Sequence, residues 1–392
     1  MATEKRTQGE PVPAPRRSSG EAPPAPVARR AQDRLDAAFA LLTERPLSLY
    51  AAAVLRIGYG LLYLVFLLRE FPHRDQIWGP GAPWTPDLAR QLSDQTGWMT
   101  FLTLSDSRVF FELCYLSAVV TSALFLLGWR TRAVSVLFAV VVASFHSRAI
   151  YMTDGGDNLI LLMAVYLVFT ACGRRWSLDA RRAVRRQKDA GEQAGRIGRV
   201  RVARLLSAGE PREHLADARR LVITVLHNCA LLVIAVQVCF LYGAAGLYKV
   251  QGGMWGNGTA LHYVLNLQLF RPWPALSELV DSRQMLVAVV CYLTVLLQVA
   301  FPFVLLGRLK YPVLVLMLGM HLSIAVLMAL PLFSAAMIVA DAVFLPDRFY
   351  RTLGTICRRT LGRGSGEEGA RQCGTPPGSE PGLVPLQSQP GG

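Results

Sequence analysis

Charged residues are scarce in this chain. Asp, Glu, Lys and Arg make up 17% of the 392 residues, whereas hydrophobic residues make up 52% and the mean hydropathy is +0.33. A soluble domain usually carries about 25% charged residues. The shortage argues against an ordinary soluble enzyme and favours a protein embedded in a membrane.

The sequence motifs of several enzyme classes are also missing. There is no P-loop, no Gly-x-Ser-x-Gly, no His-Glu-x-x-His and no Cys-x-x-Cys pair. We therefore expect no metal site. Five of the seven cysteines fall in apolar runs and two lie near the C-terminus, so we expect no disulfide framework. No short hydrophobic segment with a cleavage site precedes the first long apolar run, so we expect the first helix to stay in the protein.

Eight apolar runs are candidates for membrane-spanning helices, each of which needs about 20 mostly apolar residues. They are Leu47–Leu68, Val109–Leu127, Ala133–Phe145, Asn158–Cys172, Leu221–Ala245, Met285–Leu306, Tyr311–Leu330 and Leu332–Leu345. The third, fourth and eighth are short, so we expect flanking polar residues, tilt or neighbouring helices to complete them. The predicted fold is an all-α polytopic membrane protein with about eight transmembrane helices.

Basic residues alternate along the predicted loops. Residues 1–46 hold eight Lys and Arg and Gly173–Arg220 holds fourteen, whereas the intervening loops hold few. Because basic loops stay in the cytoplasm, this pattern predicts a multi-pass protein of the cell membrane with both termini cytoplasmic. It also accounts for the net charge of +14 without a nucleic-acid partner.

Three regions follow from this map. Residues 1–46 are predicted to be a disordered, basic and Pro-rich cytoplasmic arm, residues 47–346 the transmembrane domain, and residues 347–392 a largely disordered cytoplasmic tail. The basic insert at 173–220 is either a helix lying on anionic headgroups or a solvated loop that only sets topology.

Polar residues inside the predicted spans are expensive in a bilayer and need partners. Arg56 and Asp341 lie at comparable depths, so we predict that they form an intramembrane pair; alternatively, Arg56 reaches the headgroups or binds carbonyls. Four further residues are expected to form hydrogen bonds between helices. They are His227, Gln237, Gln298 and His321.

Several polar residues are predicted to meet at the outer membrane face, and Lys249 is the most informative of them. It shares a helix face with Tyr242 and Gly246, and the missing side chain of Gly246 is expected to leave room beside the amine. Burial disfavours the ammonium form, so a lysine in an apolar setting can act as a base. The alternative is an interfacial lysine that reaches the outer headgroups.

The chain resembles the HTTM-domain membrane family, which includes vitamin K-dependent gamma-carboxylase, and it is most similar to the bacterial branch. The similarity covers about Leu47 to Pro346. It is carried by Leu55-Arg56-Ile57-Gly58-Tyr59-Gly60, Leu127-Gly128-Trp129-Arg130-Thr131-Arg132, Gly156-Asp157-Asn158-Leu159, Arg175-Trp176-Ser177-Leu178-Asp179, Ala245-Gly246-Leu247-Tyr248-Lys249, Trp255 and Gly258-Thr259-Ala260-Leu261.

The resemblance implies a mechanism. In the carboxylase, a deprotonated lysine takes a proton from vitamin K hydroquinone, oxygenation gives a strong base, and that base deprotonates a peptide glutamate to which carbon dioxide adds. Here it implies Lys249 as the catalytic base, a reduced quinone (menaquinone or vitamin K hydroquinone) as cofactor, and oxygen and carbon dioxide as co-substrates. The implied pocket residues are Asp157, Asn158, Tyr242, Trp255, His262 and His146.

The acceptor implied by the resemblance is a secreted peptide, captured with the help of a partner protein. Two other functions stay open. The chain could be a non-catalytic membrane partner for the export, maturation or immunity of a secreted peptide. It could also be a transporter, although the sequence shows no inverted repeat and no paired broken helices.

Overall fold

The computed structural model describes residues 26–98, 100–196, 210–305 and 307–356, and these ranges contain helices and no strand. The chain divides into two units, residues 1–45 and 46–392. In the first unit, helix α1 spans Pro26–Thr43. The prediction of a disordered arm is therefore wrong for this stretch, because its run of alanine and leucine residues favours a helix. The rest of the arm, residues 1–25, lies outside the described residues.

The second unit is a bundle of helices joined by short turns. Its helices are α2 (Leu49–Glu70), α3 (Arg74–Ile77), α4 (Pro86–Thr96), α5 (Arg108–Leu127), α6 (Thr131–Arg148), α7 (Gly155–Val168), α8 (Leu178–Arg196), α9 (Glu210–Gln251), α10 (Gly253–Gly256), α11 (Ala260–Asn266), α12 (Pro274–Asp281), α13 (Gln284–Val304), α14 (Lys310–Leu327) and α15 (Pro331–Asp341). Single 3₁₀ turns occur at Phe71–His73, Phe101–Thr103, Ile150–Met152, Cys172–Arg174, Gln268–Phe270 and Ala342–Phe344. Residues 347–356 are also helical, and the predicted tail from 357 onward lies outside the described residues.

Five segments are long and apolar enough to cross a membrane, judged by length and composition. They are Leu49–Ile77, Arg108–Leu127, His214–Gln251, Gln284–Val304 and Lys310–Leu327. They coincide with the first, second, fifth, sixth and seventh predicted spans. Of the other three, Gly155–Val168 and Pro331–Phe344 are shorter apolar helices, and α6 carries basic residues near both ends.

Apolar side chains cover the outside of these helices as well as the core. On α5, for example, Val109, Leu113, Leu116 and Val120 are between 47% and 69% exposed and recur at helical spacing. Soluble domains rarely expose several such apolar stripes to water, whereas apolar surface in contact with lipid carries no such penalty. The exposed faces and the five long apolar helices together suggest a lipid-bilayer environment.

Helix α2 lies at the centre of the bundle. In the apolar 18-residue stretch of its span, 56% of the residues are buried. In the corresponding stretch of α14, at the periphery, 11% are buried. Small residues Ala51, Ala52 and Ala53 are fully buried on α2 and let neighbouring segments approach. Helices α5, α7 and α15 all pack against it. The positions of the site residues are therefore set by elements arranged around α2.

The predicted Arg56–Asp341 pair is wrong. The Arg56 guanidinium is fully buried and donates to the carbonyls of Phe125 and Leu126, both at 3.1 Å, and of Trp176 at 2.6 Å. The first two carbonyls belong to the last turn of α5, where helical carbonyls have no partner within the helix. The buried guanidinium supplies donors to these carbonyls, whereas Asp341 binds the Tyr242 hydroxyl, and this matches the carbonyl alternative.

Two of the motifs that carry the family resemblance join next to Arg56. The Asp179 carboxylate accepts hydrogen bonds from the backbone amides of Arg130 and Thr131, at 3.0 and 2.7 Å, and from the Thr131 hydroxyl at 2.7 Å. Burial opposes ionisation of Asp179, but these hydrogen bonds outweigh it and lower the pKa of its carboxyl. The start of α8 therefore caps the start of α6.

The predicted hydrogen bonds between helices are confirmed for Gln237, Gln298 and His321, whereas His227 binds two residues outside the helices. His227 accepts from the Ala171 amide at 3.0 Å through Nδ1, and its Nε2 lies 2.7 Å from the Leu47 carbonyl. The Gln237 side chain accepts from the Tyr166 hydroxyl at 3.4 Å. Gln298 donates to the Met320 sulfur at 3.9 Å, and His321 contacts the Tyr242 hydroxyl.

Candidate functional site

Lys249 lies in the last turn of α9, with its side chain half-buried. Its Nζ is 3.4 Å from the Ala245 carbonyl and 5.3 Å from the centre of the Trp255 ring, which the short helix α10 places over the amine. Among the described residues, no carboxylate lies within 4.0 Å of Nζ. Within the described part of the chain, the amine therefore lies against one aromatic ring and one carbonyl and has no counter-ion.

Gly246 does not leave the open space that the sequence predicts beside the amine. A Cβ atom added there would lie 2.8 Å from the backbone nitrogen of Val299 on α13. The missing side chain instead allows α9 and α13 to pack closely. Close to Lys249 in the sequence, Tyr248 and Met254 are 80% and 55% exposed, so this end of α9 is open to its surroundings.

Tyr242 points into the bundle and belongs to a buried polar network. Its hydroxyl lies 3.0 Å from Nε2 of His321 and 3.0 Å from Oδ2 of Asp341, and its ring packs on Phe301 at 4.5 Å. A tyrosine hydroxyl has one hydrogen to donate. If it donates to Asp341, His321 must carry its hydrogen on Nε2 and donate to the tyrosine. The Tyr242 hydroxyl is thus hydrogen-bonded to Asp341 and His321, and neither of these partners is Lys249.

Asp157 and Asn158 lie in the first turn of α7, and the turn explains much of their geometry. Asp154 caps the helix by accepting from the amides of Gly156 and Asp157, and the Asp154 amide donates to Asp157 Oδ2 at 3.0 Å. Asn158 is exposed and donates to the Asp154 carbonyl at 2.9 Å. Successive helical residues point about 100° apart. With this offset, the Asp157 side chain is half-buried whereas Asn158 is on the exposed side of the helix.

His262 is exposed on α11 and pairs with α12. Its Nδ1 lies 2.7 Å from Asp281 Oδ1, and Asn266 donates to Asp281 Oδ2 at 2.9 Å. Burial opposes ionisation of Asp281, but the hydrogen bonds from Asn266 and His262 outweigh it and lower the pKa of the carboxyl. This cluster joins two short helices on the surface.

A cavity of about 280 Å³ lies where the end of α2, the end of α6, the start of α7 and the turn between α14 and α15 meet. His146 and Asp157 line it, and they are the only two predicted site residues that do. The sequence analysis missed Tyr63, Phe66 and Glu70, which also line it. Their spacing of three and four residues places them on one face of α2, and that periodicity was the available signal.

The structure therefore separates the predicted site into several places. Lys249 and Trp255 are together, His146 and Asp157 share the cavity, and Tyr242 and His262 each have other partners. Within the part of the chain that the structure describes, no group of three or more His, Cys, Asp and Glu could hold a metal ion.

No family model matches the chain, and no curated protein or solved structure shows significant similarity to it.

Proposed function

We propose that the chain is an integral protein of the cell membrane that crosses the bilayer eight times, with both termini in the cytoplasm. The exposed apolar faces support the bilayer, and the alternation of basic loops supports the orientation. The short helix α7 is compatible with a spanning role because Leu159, Met163 and Leu167 bury its inner face against neighbours. Helices sheltered in this way tolerate a shorter apolar length.

The orientation has a direct test. A single cysteine introduced at Asn257, in the exposed turn between α10 and α11, should react with an impermeant maleimide added to intact cells. A cysteine at Arg181 on α8 should react only after the membrane is permeabilised. Both changes are made in a cysteine-free background, and the reverse labelling pattern would contradict the proposed orientation.

For the activity, we propose a quinol-dependent membrane enzyme of the gamma-carboxylase type, in which Lys249 is the base. The observation that carries this proposal is the half-buried Lys249 amine, which has no carboxylate partner among the described residues and lies against Trp255. A surface lysine kept only for solubility would reach water or an acidic neighbour. This amine is instead held in an apolar corner at the predicted outer face.

The surroundings of Lys249 fit a lipid-borne quinol. Leu247, Tyr248, Val250 and Met254 are all more than half exposed, so the approach to the amine is apolar and open to the bilayer. The flat Trp255 ring offers a surface for an aromatic ring to pack on. When bound, a reduced quinone would supply an acidic hydroxyl and, with oxygen, the oxidising chemistry that the family resemblance implies.

The roles of the chain's own residues follow from these positions. Lys249 would accept a proton at Nζ, and Ala245 would orient the amine through its carbonyl. Trp255 would hold the ring of the substrate and reduce the access of water, which protects a strong base from being quenched. A secreted peptide that carries a glutamate would be the acceptor, presented from the outer side with a partner protein.

The test is formation of quinone epoxide. The full chain in lipid nanodiscs is given reduced menaquinone or vitamin K hydroquinone with oxygen, and the product is measured by mass spectrometry. We expect epoxide from the natural chain and none from Lys249→Ala. Lys310→Ala is the matched control, since Lys310 also lies against an aromatic ring, that of Tyr311 at 5.2 Å. Equal yields from Lys249→Ala and the natural chain would refute the base role.

A second candidate function is a non-catalytic membrane partner for a secreted peptide. It is favoured by the separation of Lys249 from the cavity that holds His146 and Asp157. In that role Lys249→Ala would be tolerated, and substitutions in the exposed α11–α12 surface would abolish peptide maturation in cells.

A further inference from the structure

The cavity beside α2 has walls made mostly of aromatic rings. Trp78 meets Phe66 edge to face at 5.6 Å and Phe145 at 5.5 Å. Tyr63 and Phe333 add two more rings to the lining. Its volume of about 280 Å³ is near the lower end of the range for small-molecule pockets. The cavity is therefore suited to a compact ligand with an apolar or aromatic body.

Acidic groups outnumber basic ones in the lining. Glu70, Asp154 and Asp157 contribute three carboxylates, and Arg69 contributes one guanidinium. Arg69 is paired with one oxygen of Glu70 at 2.6 Å. The second oxygens of Glu70 and Asp157 have no hydrogen-bond partner among the described residues. Together these groups leave an excess of negative charge beside the aromatic walls.

A buried polar group in the lining also lacks a partner. Tyr63 is 4% exposed, and its hydroxyl makes no hydrogen bond within the described part of the chain. Asp157 lines the same cavity as this hydroxyl. The half-buried His146 ring likewise makes no hydrogen bond to any described residue. Buried polar groups are rarely left in this state unless a water or a ligand satisfies them.

We propose that this cavity binds an organic cation, a primary ammonium or guanidinium carried on an apolar or aromatic stem. Aromatic faces attract such cations, and the unpaired carboxylate oxygens of Glu70 and Asp157 would neutralise the charge. The Tyr63 hydroxyl would accept a hydrogen bond from the ligand. An anion would meet three carboxylates, and a neutral molecule would leave their charge uncompensated. The proposal does not depend on chemistry at Lys249, which does not line the cavity.

The test compares three probes of one shape, namely phenethylammonium, phenethyl alcohol and phenylacetate. Binding is measured by titration calorimetry on the full chain in phosphatidylcholine nanodiscs, with empty nanodiscs as the blank. We expect saturable binding of the cation alone. Glu70→Gln and Asp157→Asn should each weaken it by about tenfold or more. Glu278→Gln, which removes an exposed acidic group outside the cavity, should leave it unchanged.

Two further arms identify the natural source of the cation. Weaker binding of phenethylammonium in phosphatidylethanolamine nanodiscs would show that a lipid ammonium headgroup occupies the site. Competition by a lysine-containing tripeptide that is acetylated only at its N-terminus, so that the side-chain ammonium stays free, would show that the site takes a peptide side chain. Three results would overturn the proposal: equal binding of the alcohol, full affinity in both acidic variants, or no binding above the blank. Thermal unfolding of each variant establishes that it is folded.

Discussion

Arg56 of α2 donates a hydrogen bond of 2.6 Å to the carbonyl of Trp176, 120 residues further along the chain. The same guanidinium binds two carbonyls at the end of α5, so one fully buried side chain joins the central helix to two other segments. Hydrogen bonds to charged groups in buried sites are among the stronger ones in proteins. This residue is therefore architectural.

We expect Arg56→Met to lower the free energy of unfolding by roughly 2–5 kcal/mol, because three carbonyls, one buried and two partly buried, lose their donor. The midpoint of thermal unfolding in nanodiscs measures the loss. Arg132→Met removes an exposed arginine from the same end of the bundle and should shift the midpoint little. Equal shifts in the two variants would contradict the role of Arg56.

Gly128 ends α5 next to that guanidinium, and its φ of +69° is in the left-handed region. A Cβ atom there would overlap the Arg56 Nη1 and lie 2.5 Å from the Ser177 Cβ. Gly97 has a similar φ of +74° but open space around it. We expect Gly97→Ala to cost about 1–2 kcal/mol from backbone strain alone, and Gly128→Ala to cost clearly more. Similar unfolding midpoints for the two variants would show that the crowding is relieved at no cost.

Asp179 should make a pH-dependent contribution to stability. Because its pKa is lowered in the folded chain, the contribution is fully present above the unfolded value of about 3.9 and is lost as the pH falls through the folded pKa. We expect Asp179→Asn to lower the unfolding midpoint at pH 7 and to lower it less at pH 3.

The matched control for this titration is Asp217→Asn, an exposed carboxylate with only a weak partner at 3.4 Å. Its effect should be small at both values of pH. The unfolding midpoints of Asp179→Asn and the natural chain could instead differ by the same amount at pH 7 and pH 3. That result would mean that the ionised carboxylate is not what stabilises the start of α6.

Tyr242→Phe should destabilise the bundle without a change of shape. The substitution removes the hydroxyl that joins His321 to Asp341 and leaves a buried carboxyl without its donor. We expect a loss of about 1–3 kcal/mol in the free energy of unfolding. Tyr311→Phe, at a residue that is 47% exposed, is the control and should be nearly neutral. If both variants are neutral, the network is not a stabilising one.

Much of the fold is predictable from the sequence because a bilayer imposes a simple rule on helix length and polarity. Five of the predicted spans coincide with long apolar helices, and three of the four residues expected to join helices do so. Helix ends are less predictable. For example, α9 begins at Glu210, well before the predicted Leu221, because basic and acidic residues continue a helix once it leaves the lipid.

The candidate site was harder to predict, for a geometric reason. Depth along a span can be read from the sequence, but rotation about the helix axis depends on packing. Arg56 and Asp341 were matched by depth, and they bind other partners. The neighbours Asp157 and Asn158 were placed in one pocket, but Asp157 lines the cavity whereas Asn158 is exposed and binds the Asp154 carbonyl. By contrast, Trp255, which the sequence analysis grouped with Lys249, does lie beside the Lys249 amine.

The measurement that tests the central claim most directly is chemical rescue of the amine at position 249. Lys249→Cys is assayed for quinone epoxide before and after aminoethylation, which rebuilds a lysine-like amine on the sulfur. The natural chain is treated in parallel, since it has seven cysteines of its own. We predict that the natural chain forms epoxide, that Lys249→Cys does not, and that aminoethylation restores it. Epoxide from the unmodified variant, or none from the folded natural chain, would contradict the account.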